Sequence, residues 1–179
     1  NYSYDSDGNR LKEEIKDTQG TLKKTLSFQY DALNRLVKAV NPDSTFTQTN
    51  YDSLNSPTGV TDPNGKTTGY QYDALSRLVA VIQPGSITTG LAYDSDNNLK
   101  GVTDANSNAT VYKYDDLGRV SQTISPDTGT TTYAYDPAGN LKTRTDAKGT
   151  TVSYSYDALN RLTKIDFPAD TDIAYGYDS

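Results

Sequence analysis

Carboxylates are the residues of this chain with the most capacity for chemistry. Of its 179 residues 23 are acidic, and all but Glu13 and Glu14 of these are Asp. Close pairs occur at Glu13-Glu14, Asp115-Asp116 and Asp170/Asp172. Two carboxylates facing each other across a cleft would hydrolyse a glycoside. Adjacent strand residues point to opposite faces, and Asp115-Asp116 falls in a turn-forming stretch, so these pairs predict no hydrolytic site. Asp5-Ser6-Asp7-Gly8-Asn9 and Asp94-Ser95-Asp96-Asn97-Asn98 open like calcium loops. An EF-hand closes with a bidentate Glu at its twelfth position; here that position holds Lys16 or Ala105. Both segments therefore read as turns. His and Cys are absent, which removes the commonest general base, the commonest zinc ligand and any disulfide. A Ser or Thr with a Lys is the one nucleophile–base pair left to build, and no glycine-rich phosphate cradle occurs. The expectation is a non-enzyme with no catalytic residue, metal site or cofactor.

What these side chains sit on is set by a period. The dipeptide Tyr-Asp recurs every 21 residues, at Tyr30-Asp31, Tyr51-Asp52, Tyr72-Asp73, Tyr93-Asp94, Tyr114-Asp115, Tyr135-Asp136, Tyr156-Asp157 and Tyr177-Asp178, with one more copy at Tyr4-Asp5. So strict a step means an array of one small unit. Six residues after the Tyr stands an apolar residue: Leu36, Leu78, Leu99, Val120, Leu141 or Leu162, with Pro57 the exception. A second set of turn residues follows, as in Asp62-Pro63-Asn64-Gly65 and Asp146-Ala147-Lys148-Gly149. Two turn signals per unit predict two strands per unit, so each unit is a β-hairpin. The residue two before each Tyr shares its face, which pairs Tyr70 with Tyr72, Tyr112 with Tyr114 and Tyr154 with Tyr156.

The Asp after each Tyr predicts an Asx-turn, its carboxylate accepting a backbone N–H two residues on. Asn34, Asn97, Gly118, Gly139 and Asn160, three residues later, suit a positive φ. The first unit is five residues longer than the rest. Four of the extra residues are expected to lengthen two strands by two each, which preserves the faces, and the fifth to fall in the Asp5-Ser6-Asp7-Gly8-Asn9 turn before Leu11. Roughly 16 strands in a row rarely stay flat, so the expected fold is all-β, a curled or spiralling ribbon of tandem hairpins running as one array over residues 1–179. Its raw edge strands would pair with neighbouring repeats or with other copies.

Composition excludes other classes. The net charge is −6 and no basic stripe is visible, which argues against nucleic acid as a partner. No run of 18 apolar residues exists, so no membrane-spanning helix is expected. Lys12, Lys16 and Lys23-Lys24 form a small cationic spot that reads as exposed strand charge guarding an edge. The chain starts within the pattern at Asn1 and stops after a repeat start at Ser179; the expectation is a segment of a longer protein.

The heptads Tyr30-Asp31-Ala32-Leu33-Asn34-Arg35-Leu36, Tyr72-Asp73-Ala74-Leu75-Ser76-Arg77-Leu78 and Tyr156-Asp157-Ala158-Leu159-Asn160-Arg161-Leu162, with the variants from Tyr114 and Tyr135, resemble the YD-repeat (Rhs-repeat) family over the whole chain. The resemblance implies a β-sheet spiral. In bacterial Rhs proteins and insecticidal toxin complexes it forms a shell around a C-terminal toxic polypeptide, and in teneurins a barrel on an adhesion receptor. It further implies a secreted or surface location and a toxin cargo as partner. Asp136-Pro137-Ala138-Gly139-Asn140-Leu141 only partly echoes the self-cleaving core segment of Rhs shells, and its phase makes it an ordinary repeat turn. The alternative is an extracellular adhesin or filament that binds glycans on the Tyr ladder, or other copies of itself.

Overall fold

The structure is a computed structural model that describes residues 1–178; Ser179 lies outside the described residues. It contains 17 strands: β1 (Tyr2–Tyr4), β2 (Arg10–Lys16), β3 (Leu22–Tyr30), β4 (Leu36–Val40), β5 (Phe46–Tyr51), β6 (Pro57–Thr61), β7 (Thr67–Tyr72), β8 (Leu78–Gln83), β9 (Ile87–Tyr93), β10 (Leu99–Thr103), β11 (Ala109–Tyr114), β12 (Val120–Ser125), β13 (Gly129–Tyr135), β14 (Leu141–Thr145), β15 (Thr151–Tyr156), β16 (Leu162–Asp166) and β17 (Ile173–Ala174). No helix occurs among the described residues. The chain divides into two compact units, Asn1–Thr89 and Gly90 onward. In the first, β1 to β8 pair antiparallel in sequence order. In the second, β9 to β17 do the same. The all-β hairpin array expected from the 21-residue step is what forms.

Thr and Tyr are the commonest residues of these strands, because branched and aromatic side chains suit a pleated, half-buried surface. Polar five-residue turns stop them at both ends. In most of them the first N–H meets the fifth carbonyl and the fourth N–H meets the first carbonyl, as in Asp31 N to Arg35 O at 3.0 Å and Asn34 N to Asp31 O at 3.0 Å; the connections β8–β9, β12–β13 and β16–β17 are built differently. The fourth residue takes a positive φ: Asn34 at 60°, Asn97 at 73°, Gly118 at 73°, Gly139 at 89° and Asn160 at 59°. Asn55 and Ser76, at the same place of their turns, do so too, at 68° and 59°.

The pleat is interrupted once per repeat. Tyr72 pairs with Leu78, but Gln71 pairs with Ala80, which leaves Val79 as an extra residue on β8. The same shift follows the other Tyr-Asp turns, with Val37, Thr58, Lys100, Ser121, Lys142 and Thr163 as the extra residues. Such a bulge leaves backbone groups out of the ladder and sharpens the local twist.

The first hairpin corrects one expectation. Tyr4 pairs with Arg10 as Tyr30 pairs with Leu36, so Arg10 and not Leu11 occupies the apolar position, and Leu11 is the bulge residue. The Asp5 turn has ordinary length, closed by Asp5 N to Asn9 O at 3.0 Å. The odd extra residue is Lys23, which the register skips near the hairpin tip, between Ile15↔Lys24 and Lys16↔Leu22. A bulge beside a tip displaces only the last pair of the ladder, so it costs less than refitting a turn whose carboxylate is already bonded.

Among the described residues neither unit has a thick core. Ala80 at 8% exposure is the buried apolar side chain and Thr131 at 9% the buried polar one. Most strand residues are half-buried, so cohesion comes from the ladders and from what crosses between hairpins.

Candidate functional site

The Tyr-Asp turns are where side chains converge. In the turn after Tyr30, Asp31 Oδ1 accepts the N–H groups of Leu33 at 2.9 Å and Arg35 at 3.1 Å, and Oδ2 accepts Arg35 Nε at 2.7 Å. Asp73 with Leu75 and Arg77, Asp115 with Leu117 and Arg119, and Asp157 with Leu159 and Arg161 repeat this. Asp52 holds Leu54 N and Ser56 N. Asp94 holds Asp96 N and Asn98 N, and Asp136 holds Asn140 N. The Arg77 side chain, then the backbone amides of Arg77 and Leu75, keep the Asp73 carboxyl below its ordinary range. Asp115 is lowered for the same reasons by Arg119 and Leu117.

Seven of the Tyr-Asp tyrosines reach back one hairpin. The hydroxyl donates to the carbonyl beside the preceding bulge: Tyr51 to Leu36 at 3.3 Å, Tyr114 to Leu99 at 2.8 Å, Tyr135 to Val120 at 2.8 Å, Tyr156 to Leu141 at 3.0 Å and Tyr177 to Leu162 at 2.7 Å. Tyr30 and Tyr72 do the same to Arg10 and Pro57. The apolar residues six after each Tyr therefore act through their backbone oxygens as well as their side chains. Leu78 lies opposite Tyr72 in the ladder, and Leu99 opposite Tyr93. Burial, then the Asp94 carboxylate, push the Tyr114 phenol up.

A third participant escaped the reading of the heptads. Arg35, Arg119 and Arg161 each lay a guanidinium over the ring of the next Tyr, Tyr51 at 4.6 Å, Tyr135 at 4.4 Å and Tyr177 at 4.5 Å. Arg35 Nη1 also donates to Asp52 O at 3.1 Å and Asn55 Oδ1 at 2.7 Å in the next turn. The signal was present: Arg35, Arg77, Arg119 and Arg161 stand 42 residues apart. Between them the same place holds Asn9, Ser56, Asn98 and Asn140. The hairpins thus alternate between an Arg type and a short polar type. Asn140 makes a lesser version of the link, Nδ2 to Asp136 Oδ2 at 3.2 Å and to Asn160 Oδ1 at 2.9 Å.

Several of the remaining carboxylates sit in ion pairs. Glu13 pairs with Arg10, Glu14 with Lys12 and Lys16, Asp17 with Lys23, and Lys164 with Asp166 and Asp172. These pairs divide the cationic spot of the first hairpin among acidic partners. No group of three or more metal-ligating side chains occurs among the described residues, and no helix is long and apolar enough to cross a membrane.

The likeness to solved structures is one of fold. The complex described as TcdB2-TccC3-Cdc42 matches at a TM-score of 0.72 and 18% identity, over 96% of this chain and 11% of that one. TcdB2-TccC3 without its hypervariable C-terminal region matches at 0.70 and 18% identity, over 93% of this chain and 11% of that one. The Photorhabdus luminescens Tc holotoxin pore matches at 0.69 and 18% identity, over 90% of this chain and 11% of that one. This chain thus spans about a tenth of the length of each. No curated protein matches it. The model of the teneurin YD-shell matches residues 1–88 and again 65–179. With its Tyr-Asp turns, bulges and hairpin order, the chain belongs to the teneurin YD-shell family.

Proposed function

We propose that this chain is a stretch of shell wall, one YD-repeat array within a longer secreted or surface protein, and that the wall encloses a polypeptide cargo such as a toxin. The observation that carries this reading is the repetition of one staple. In turn after turn a Tyr hydroxyl and a neighbouring Arg or Asn tie a hairpin to the next. A surface built this way separates two spaces. One of the similar structures is a Tc holotoxin pore, which supports a toxin as the cargo.

The test is electron microscopy of the purified chain together with its mass in solution. Curved particles of limited size are the expected result. Straight filaments joined through β1 and β17 would overturn the enclosing role in favour of a fibre or adhesin.

A further inference from the structure

The junction between the Asp52 turn and the hairpin ending at Tyr72 lacks what its neighbours have. In the Arg-type turns the second carboxylate oxygen of the Asp accepts Arg Nε, and at Asp5, Asp94 and Asp136 it accepts an Asn amide. Four residues after Asp52 stands Ser56. Its N–H and that of Leu54 both use Asp52 Oδ1, at 2.9 and 2.8 Å, and its side chain is too short to reach the other oxygen. Asp52 Oδ2 has no hydrogen-bond or ion-pair partner among the described residues. A groove of about 470 Å³ opens there, lined by Asp52, Leu54, Tyr70, Tyr72 and Ser76 among others. The Tyr72 hydroxyl is fixed on Pro57 O at 3.0 Å, so its ring is held still. Unlike Tyr51, Tyr135 and Tyr177 it carries no cation of this chain over its face. Burial and, after it, the Asp52 carboxylate push its phenol up, as burial and the Asp94 carboxylate do at Tyr114.

We propose that this groove binds the guanidinium of an arginine side chain presented by another polypeptide. The chain supplies its own template one junction earlier. There Arg35 bonds the Asp oxygen, lies 4.6 Å from the centre of the next Tyr ring and reaches the fourth residue of the next turn. The corresponding partners here are Asp52 Oδ2, the Tyr72 ring and the Ser76 hydroxyl. A planar cation with several donors meets all three, whereas a lysine ammonium offers a point charge and no plane to stack. Leu54, 68% exposed, stands at the rim, where the backbone of the incoming polypeptide would cover it. This site goes beyond the shell reading and does not depend on it.

The experiment is an NMR titration of the chain with N-acetyl-arginine amide, following the Tyr72 ring and the Leu54 and Ser56 amides. N-acetyl-citrulline amide, of the same shape without the charge, is the control. Saturable shifts are expected for arginine with Kd on the order of 10 mM, the weak range for a single side chain, and about tenfold weaker binding for citrulline, the loss of one charge-assisted contact. Ser56→Arg fills the groove from within, so it should abolish the response and raise the melting temperature. Arg35→Ser should create a second arginine response at Tyr51. Equal shifts with citrulline, no shifts with arginine, or an arginine response that survives in Ser56→Arg would each overturn the proposal.

Discussion

Arg35 and Asn55 are 20 residues apart, yet Arg35 Nη1 donates to Asn55 Oδ1 at 2.7 Å while the same guanidinium lies 4.6 Å from the centre of the Tyr51 ring. One side chain thereby joins two turns, each built on a carboxylate, and one aromatic ring. The positive φ of Asn55, 68°, places it in the next turn where the guanidinium meets its side chain. The turn geometry and the cross-hairpin link are one device.

Arg119→Ala should therefore destabilise the chain by about 1 kcal/mol, the sum expected of a half-exposed ion pair and a cation–π contact. Lys142→Ala, in β14, should change little. Arg119→Lys should recover only part of the loss, because an ammonium cannot stack and fork at once. Thermal melting checks this, and equal effects at Arg119 and Lys142 would contradict it.

The tyrosine hydroxyl and ring separate in a similar way. Tyr114→Phe deletes the 2.8 Å bond to Leu99 O and should cost about 1 kcal/mol, with the orphaned carbonyl the main cause. Tyr114→Ala removes the half-buried ring as well and should cost about 2–3 kcal/mol, well above Thr110→Ala in the same strand. Equal losses for Tyr114→Ala and Thr110→Ala in denaturant melts would show that the ladder does not hold the hairpins.

Acid should loosen the turns. The Asp73 and Asp115 carboxyls lie below their ordinary range in the folded chain, chiefly through the Arg77 and Arg119 side chains. A depressed folded pKa gives stability that is present above the unfolded value of about 4 and lost as pH falls through the folded value. Stability should then be flat from pH 7 to about 5 and fall below about pH 4. Chemical denaturation at a series of pH values measures it; a chain as stable at pH 2 as at pH 7 would contradict the assignment.

Gly129 and Gly149 give a controlled pair. Both have positive φ, 73° and 81°, so alanine is strained at either by about 1 kcal/mol. A Cβ on Gly129 would also stand 2.6 Å from the Ala147 Cβ, whereas one on Gly149 meets nothing within 4 Å. Gly129→Ala should cost more than Gly149→Ala, and adding Ala147→Gly should remove the excess. Melting temperatures of the three variants decide it.

The array and its strands were legible because Tyr-Asp marks every second turn and Asp, Asn, Gly and Pro mark the rest. Two things were not. The bulge residues Val37, Val79 and Thr163 carry no mark, because one extra residue in a strand looks like any strand residue until its partner across the ladder is known. The same ambiguity placed the odd residue of the first hairpin in its turn when Lys23 absorbs it. Arg35, Arg77, Arg119 and Arg161 were visible in the heptads without a role, because a period of 21 lumps together two kinds of hairpin that differ in reach.

The 42-residue beat of arginine bears on how such a wall grows or shrinks by gene duplication. Gain or loss of two hairpins preserves the order of long and short arms along the seam. Gain or loss of one places like beside like, so that Arg35 would face Ser76 in place of Asn55. Lineages of this wall should consequently differ in length by pairs, with single steps confined to places where a neighbouring arm has mutated to match.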